Sequence, residues 1–155
     1  MRAAFIAGAL VLVALAGPVS ASDHVPFRGT LAGTATVTPL SPPIVAVRID
    51  ASGSATHLGR FTLVAPHTVN QATLVGIGTY LITAANGDTI TADLAGTAQM
   101  VAPPNVLAIT ETATVTGGTG RFAGATGSIE VKRMFDRSTG VTTGTLEGWI
   151  SRPGS

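Results

Sequence analysis

Residues Thr116-Gly117-Gly118-Thr119-Gly120-Arg121-Phe122-Ala123-Gly124-Ala125-Thr126-Gly127 hold five glycines and a single cation in twelve positions. Glycines this dense mark a backbone that turns through φ > 0 or lies against another backbone, because a Cβ would collide in either case. The stretch is a joint between two strands. Its Gly-Arg-Phe core occurs a second time, at Gly59-Arg60-Phe61. The simplest reading is one turn used twice: a left-handed glycine, an arginine folded over a rim and a phenylalanine plugging an end. Three shared residues are weak grounds for a duplication or for twin ligand sites.

Outward from this joint the chain alternates with period two, as half-buried strands do. In residues 105–117, Leu107, Ile109, Glu111, Ala113 and Val115 share one face, while Val106, Ala108 and a row of threonines share the other. In residues 88–100, Ile90, Ala92, Leu94, Gly96, Ala98 and Met100 fall together. Residues 73–84 are apolar on both faces, and Asn86-Gly87 between these strands predicts a type I′ hairpin with φ > 0 at both central residues. The same reading predicts strands at 26–38, 44–56, 59–68, 73–84, 88–100, 105–117, 126–136 and 141–151. Pro39 to Pro43 and Pro103-Pro104 fall between strands, where a missing donor harms no ladder. Eight such strands can form a sandwich or close on themselves. Glycines inside the strands (Gly29, Gly33, Gly76, Gly78, Gly96, Gly144, Gly148) favour closure, since strongly coiled strands need positions without side chains. The predicted fold is all-β, an eight-stranded antiparallel up-and-down barrel.

Gly117-Gly118-Thr119-Gly120-Arg121-Phe122 with the following Ala-x-Gly, together with Ala55-Thr56-His57-Leu58-Gly59-Arg60-Phe61-Thr62 and Ala84-Ala85-Asn86-Gly87-Asp88-Thr89, resembles dirigent proteins and small secreted bacterial proteins related to the allene oxide cyclase barrel. The resemblance implies an eight-stranded barrel with an apolar cavity and, by analogy with the plant enzymes, a trimer that guides cyclisation or coupling without a cofactor. It falls in the turns and carries no catalytic residue over, so activity does not travel with it.

The N-terminus reads as an export signal over residues 1–21. Arg2 precedes an apolar run from Ala3 to Ala16, and Val19-Ser20-Ala21 supplies small residues for cleavage. The run is short for a membrane span of ~20 residues. The expectation is a single barrel domain over 22–155, secreted or periplasmic, with no stable membrane insertion after cleavage. The chain contains no cysteine, which excludes disulfides, a thiol nucleophile and thiolate metal sites. Without Arg2, eight Lys or Arg balance eight Asp or Glu, so no basic field exists to hold nucleic acid. Neither a Gly-x-Ser-x-Gly elbow nor a phosphate loop is present, and the histidines lack ligand spacing, so neither a metal nor a cofactor is expected.

Chemistry is sought first at Glu111, which interrupts an aliphatic row. If that row lines the lumen, desolvation would raise its pKa toward a useful acid-base range. The alternative, weighted above it, is a buried pair with an arginine such as Arg48 or Arg133. Arg133 shares a face with Ile129, Val131 and Phe135, whereas Arg48 and Asp50 lie opposite the more apolar face of their strand. His57, before Leu58-Gly59-Arg60, is either a proton shuttle or an imidazole fixing a rim turn through a backbone carbonyl. The expected ligand contacts are Glu111, Arg133, Leu107, Ile109, Leu94 and Met100; Glu111, Arg133 and His57 are the catalytic candidates. Three functions stand: a barrel that binds a small hydrophobic molecule, a cofactor-independent isomerase or cyclase, and a structural or cell-surface module with a filled interior. The volume left in the lumen separates the third from the others.

Overall fold

The computed structural model describes residues 23–154, so the expected export signal lies outside the described residues. Eight strands run β1 His24–Pro39, β2 Ile44–Ala55, β3 Gly59–Asn70, β4 Val75–Ala84, β5 Thr89–Val101, β6 Val106–Gly118, β7 Gly127–Asp136 and β8 Val141–Ser151. Each pairs antiparallel with the next, and β8 closes on β1 from His24 opposite Ser151 to Thr34 opposite Val141. The result is the closed up-and-down barrel expected from the alternation. Closure leaves no strand edge unpaired.

The two ends of the barrel differ. At one end lie the β2–β3, β4–β5 and β6–β7 connections, and there Phe27, Leu58, Phe61, Ile90, Phe122 and Ile150 are buried against one another. Phe61 and Phe122 come from the two Gly-Arg-Phe segments and plug this end, 4% and 1% exposed. Both glycines are left-handed, Gly59 at φ 65 and Gly120 at φ 58. The second segment forms a short 3₁₀ turn, Gly120–Phe122, with the Arg121 guanidinium 5.1 Å from the Phe122 ring centre.

The glycine-rich joint between β6 and β7 interlocks with the β4–β5 hairpin. The Thr89 N–H donates to Thr119 Oγ1 at 3.0 Å, and Arg121 places its Nε 3.6 Å from the Asp88 carboxylate. The hairpin itself departs from the expected type I′ turn. Only Gly87 has φ > 0, at 91. The Gly87 N–H donates to Ala84 O at 2.9 Å and the Ala84 N–H to Asp88 O at 2.8 Å, which is a three-residue loop closed by a left-handed glycine. Asn86 instead turns its side chain onto Asp88, accepting from the Asp88 N–H and donating to its carboxylate. A side chain used as a turn staple removes the need for a left-handed backbone at Asn86.

At the other end, the β1–β2, β3–β4, β5–β6 and β7–β8 connections surround an opening. Several interior residues there are small, among them Ala35, Gly76, Gly96 and Ala98, and the lumen stays open.

Candidate functional site

The open half holds a cavity of about 330 Å³. Its walls are aliphatic and aromatic, with Val37, Val45, Val47, Leu107, Ile109 and Phe135 prominent. Its polar lining includes Glu111, Arg133 and His67. These three come from β6, β7 and β3, all inward by strand parity.

Glu111 and Arg133 are diagonal neighbours. Glu111 sits opposite Val131 and Ile109 opposite Arg133, which brings the two side chains together across one step of the ladder. Arg133 Nη2 donates to Glu111 Oε1 at 2.7 Å and Nε to Oε2 at 3.0 Å, a two-pronged pair with side chains 4% and 3% exposed. Arg133 Nη1 also reaches Thr142 Oγ1 at 3.4 Å, and Thr142 passes its own proton to Met134 O at 2.9 Å. Tyr80, on β4, donates its hydroxyl to Glu111 Oε2 at 2.5 Å. Tyr80 is buried and outside the cavity lining, so it approaches the carboxylate from the filled half.

The charges follow from this arrangement. Burial pushes the Glu111 carboxyl up, but the hydrogen bonds and charge of Arg133, with the Tyr80 hydroxyl, outweigh it and hold the group below its ordinary value. The expected rise toward an acid-base range therefore does not occur. Glu111 is an ionised anchor rather than a proton donor. Burial works against the Arg133 charge too, yet Glu111 raises its pKa overall. Tyr80 is pushed up by burial and then by the neighbouring carboxylate, so it stays a phenol.

His67 completes the lining. Its Nδ1 stands 3.0 Å from Ala65 O. A carbonyl only accepts, so Nδ1 carries the proton, and in the neutral ring Nε2 carries a lone pair. Burial lowers the His67 pKa, overcoming the Ala65 bond and the Glu111 charge, while Arg133 lowers it further.

A glycine lies across from each of these three residues. A Cβ on Gly96 would fall 2.4 Å from Glu111 Cγ; one on Gly78 would fall 2.4 Å from His67 Cβ. Gly144 stands in the same relation to Arg133, at 2.6 Å from its Cβ. The strand glycines thus clear the space into which the polar side chains fold, besides letting the strands coil.

Of the other expected residues, Leu107 and Ile109 line the cavity and Met100 lies at its mouth, 63% exposed. Leu94 does not join them. It is buried in the packed core and outside the cavity lining, because its position on β5 is nearer the plugged end. His57 is at that plugged end as well, exposed, with its Nε2 3.0 Å from Pro26 O. It fixes the rim turn and stands apart from the lumen. Arg48 turns outward and pairs with Asp50 at 2.9 Å. Of the two arginines considered for Glu111, Arg133 is the partner.

His67 and Tyr80 were not among the residues expected at the site. His67 carries a readable signal, since Phe61, Leu63, Ala65 and His67 alternate with Thr62, Val64, Pro66 and Thr68. Tyr80 lies on a strand whose outward residues Val75, Ile77 and Leu81 are also apolar, so its facing is ambiguous from pattern alone. Among the described residues no cluster of three His, Asp or Glu could hold a metal.

The barrel is similar to a solved structure, that of a pterocarpan synthase dirigent protein, with a TM-score of 0.60 at 13% sequence identity, covering 95% of this chain and 98% of that chain. Likeness at that identity shows a shared dirigent-like barrel fold. No protein-family model matches this chain, and no curated protein sequence does.

Proposed function

We propose that this barrel binds a small hydrophobic molecule in the open half of its lumen. The observation that carries the reading is the cavity of about 330 Å³ with apolar walls and buried polar groups at Glu111, Arg133 and His67. Ligand pockets combine an apolar lining with a few fixed polar groups in this way, and volumes of ~300–1,000 Å³ are usual for them. The barrel shared with a pterocarpan synthase dirigent protein supports the reading, since that protein's name links the architecture to a small organic molecule.

The neutral fluorophore N-phenyl-1-naphthylamine should brighten on binding the wild-type protein. Ile109→Trp, which fills the cavity from its wall, should abolish the response with the melting temperature little changed. A wild-type protein that binds neither this probe nor any member of an apolar ligand panel would defeat the proposal.

A second reading is a cofactor-independent isomerase or cyclase. What favours it is a guanidinium beside a cavity able to hold a reactive apolar substrate, where negative charge developing on that substrate would be stabilised. Glu111 is committed to Arg133 and Tyr80, so in this reading the proton acceptor is His67 and the anion anchor is Arg133.

A further inference from the structure

We propose that the ligand carries a hydroxyl group, and that this hydroxyl donates its proton to His67 Nε2. The inference rests on the lumen-binding reading and adds to it the chemistry of the ligand's head.

Glu111 accepts from Tyr80 and twice from Arg133. Thr142 gives its proton to Met134 O. The buried polar groups of the site thus satisfy one another, apart from His67. Its Nδ1–H is spent on Ala65 O, and Nε2 has no protein partner. Among the described residues no sealed side-chain nitrogen or oxygen lacks a hydrogen bond. Nε2 is therefore open to space; His67 borders both the lumen and an outer groove, but its side chain is inward by parity and its Cδ2, next to Nε2, lies 3.6 Å from where a Cβ on Gly76 would stand, a residue that lines the lumen and not the groove.

A lone pair at the bottom of an apolar cavity selects for a donor. A hydroxyl supplies one; an ether or a carboxylate supplies none. The cavity is about twice the ~150 Å³ that accommodates benzene, so it has room for an apolar body of roughly ten carbons behind the hydroxyl. Charge near His67 adds to the selection, because Glu111 and Arg133 already cancel and a neutral ring adds none; the other cation of the lining, Arg137, is exposed and gives an Nη2–H to Pro104 O at 2.9 Å.

Protonation would reverse the role of Nε2 from acceptor to donor. The groups that act on His67 are Glu111 from β6, which favours the charged ring, and Arg133 from β7, which opposes it. Tyr80 from β4 is engaged with Glu111, and β2 presents aliphatic side chains to the same side of the cavity.

The test compares 1-decanol with decyl methyl ether, by displacement of N-phenyl-1-naphthylamine at pH 7.5. The ether keeps the oxygen acceptor and the chain, so the pair isolates the donated proton. The alcohol should bind roughly tenfold more tightly, the upper range for one hydrogen bond. That ratio should fall to about one in His67→Phe and be largely kept in His67→Gln, whose amide oxygen still accepts. In the wild-type protein, which needs no folded variant, the ratio should also fall once acidification protonates His67, at a pH below the ordinary 6.5 because burial lowers its pKa. Equal binding of alcohol and ether at pH 7.5, or a preference that survives in His67→Phe, would overturn the inference while leaving the apolar cavity as a binding site. Failure of the fluorophore and both decyl compounds to bind would overturn the lumen reading and this inference with it.

Discussion

At the scale of single residues, the Glu111–Arg133 pair sets the terms for everything around it. Removing one partner from a buried pair leaves the other charged and unsolvated, which costs about 3–5 kcal/mol. Glu111→Gln and Arg133→Met should each lower stability by about that much in chemical denaturation. The double variant Glu111→Leu/Arg133→Met should recover most of the loss, because two apolar groups replace both charges at once. A single variant as stable as the wild type would mean that the pair is solvated in solution. The pH dependence follows from the same neighbours. Glu111 has a folded pKa below its ordinary 4.5, so its contribution is complete above that pH and is lost as the pH falls through the depressed value. His67, also lowered, favours the folded state fully above its ordinary 6.5, and stability declines below that as the unfolded chain takes up the proton first. Urea midpoints should therefore be level above pH 7 and fall in two stages on acidification, the upper stage vanishing in His67→Phe. A flat profile between pH 7 and pH 5 in the wild type would contradict the burial of His67.

At the scale of elements, the glycine joint is where sequence and geometry agree most closely. Gly120 is left-handed, and a Cβ there would sit on the Asp88 carboxylate, 2.0 Å from Oδ1. Gly120→Val should cost ~1–3 kcal/mol, read as a lowered melting temperature. An unchanged melt would show the turn to be replaceable. The alternation of β6 and β7 was enough to turn Glu111 and Arg133 inward, and strand boundaries followed from Pro and Gly to within a few residues. Other features depend on forces that pattern does not carry. The Asn86 side-chain bonds to Asp88 decide the hairpin type, and residue preferences alone cannot rank them against a left-handed backbone. Tyr80 sits on β4, where an apolar outer face erases the contrast that reveals facing. Leu94 shared parity with true cavity residues but not height, because parity fixes which face a residue takes and says nothing of which end of the barrel it is near.

At the scale of the whole molecule, asymmetry along the barrel axis is what leaves room for a ligand. Phe27, Phe61 and Phe122 fill one half, whereas alanine, valine and glycine line much of the other. This asymmetry was hidden in the sequence, since the free volume depends on how tilted strands bring distant side chains to the same level. The N-terminal segment adds a prediction at this scale: protein recovered from an exporting cell should begin at or near Ser22, and N-terminal sequencing that finds an intact Met1 on the exported form would refute it. The closing of β8 on β1 has a practical corollary. His24 pairs with Ser151, and the chain after β8 returns to the β6–β7 joint, where the Gly154 N–H meets Arg121 O at 2.8 Å. Both ends of the described chain thus emerge beside the phenylalanine plug, on the side away from the mouth. A tether fixed at either end, to a sensor chip, a bead or a fused carrier, would hold the barrel upside down with its opening presented to the surrounding liquid, and immobilisation would leave the way into the lumen clear.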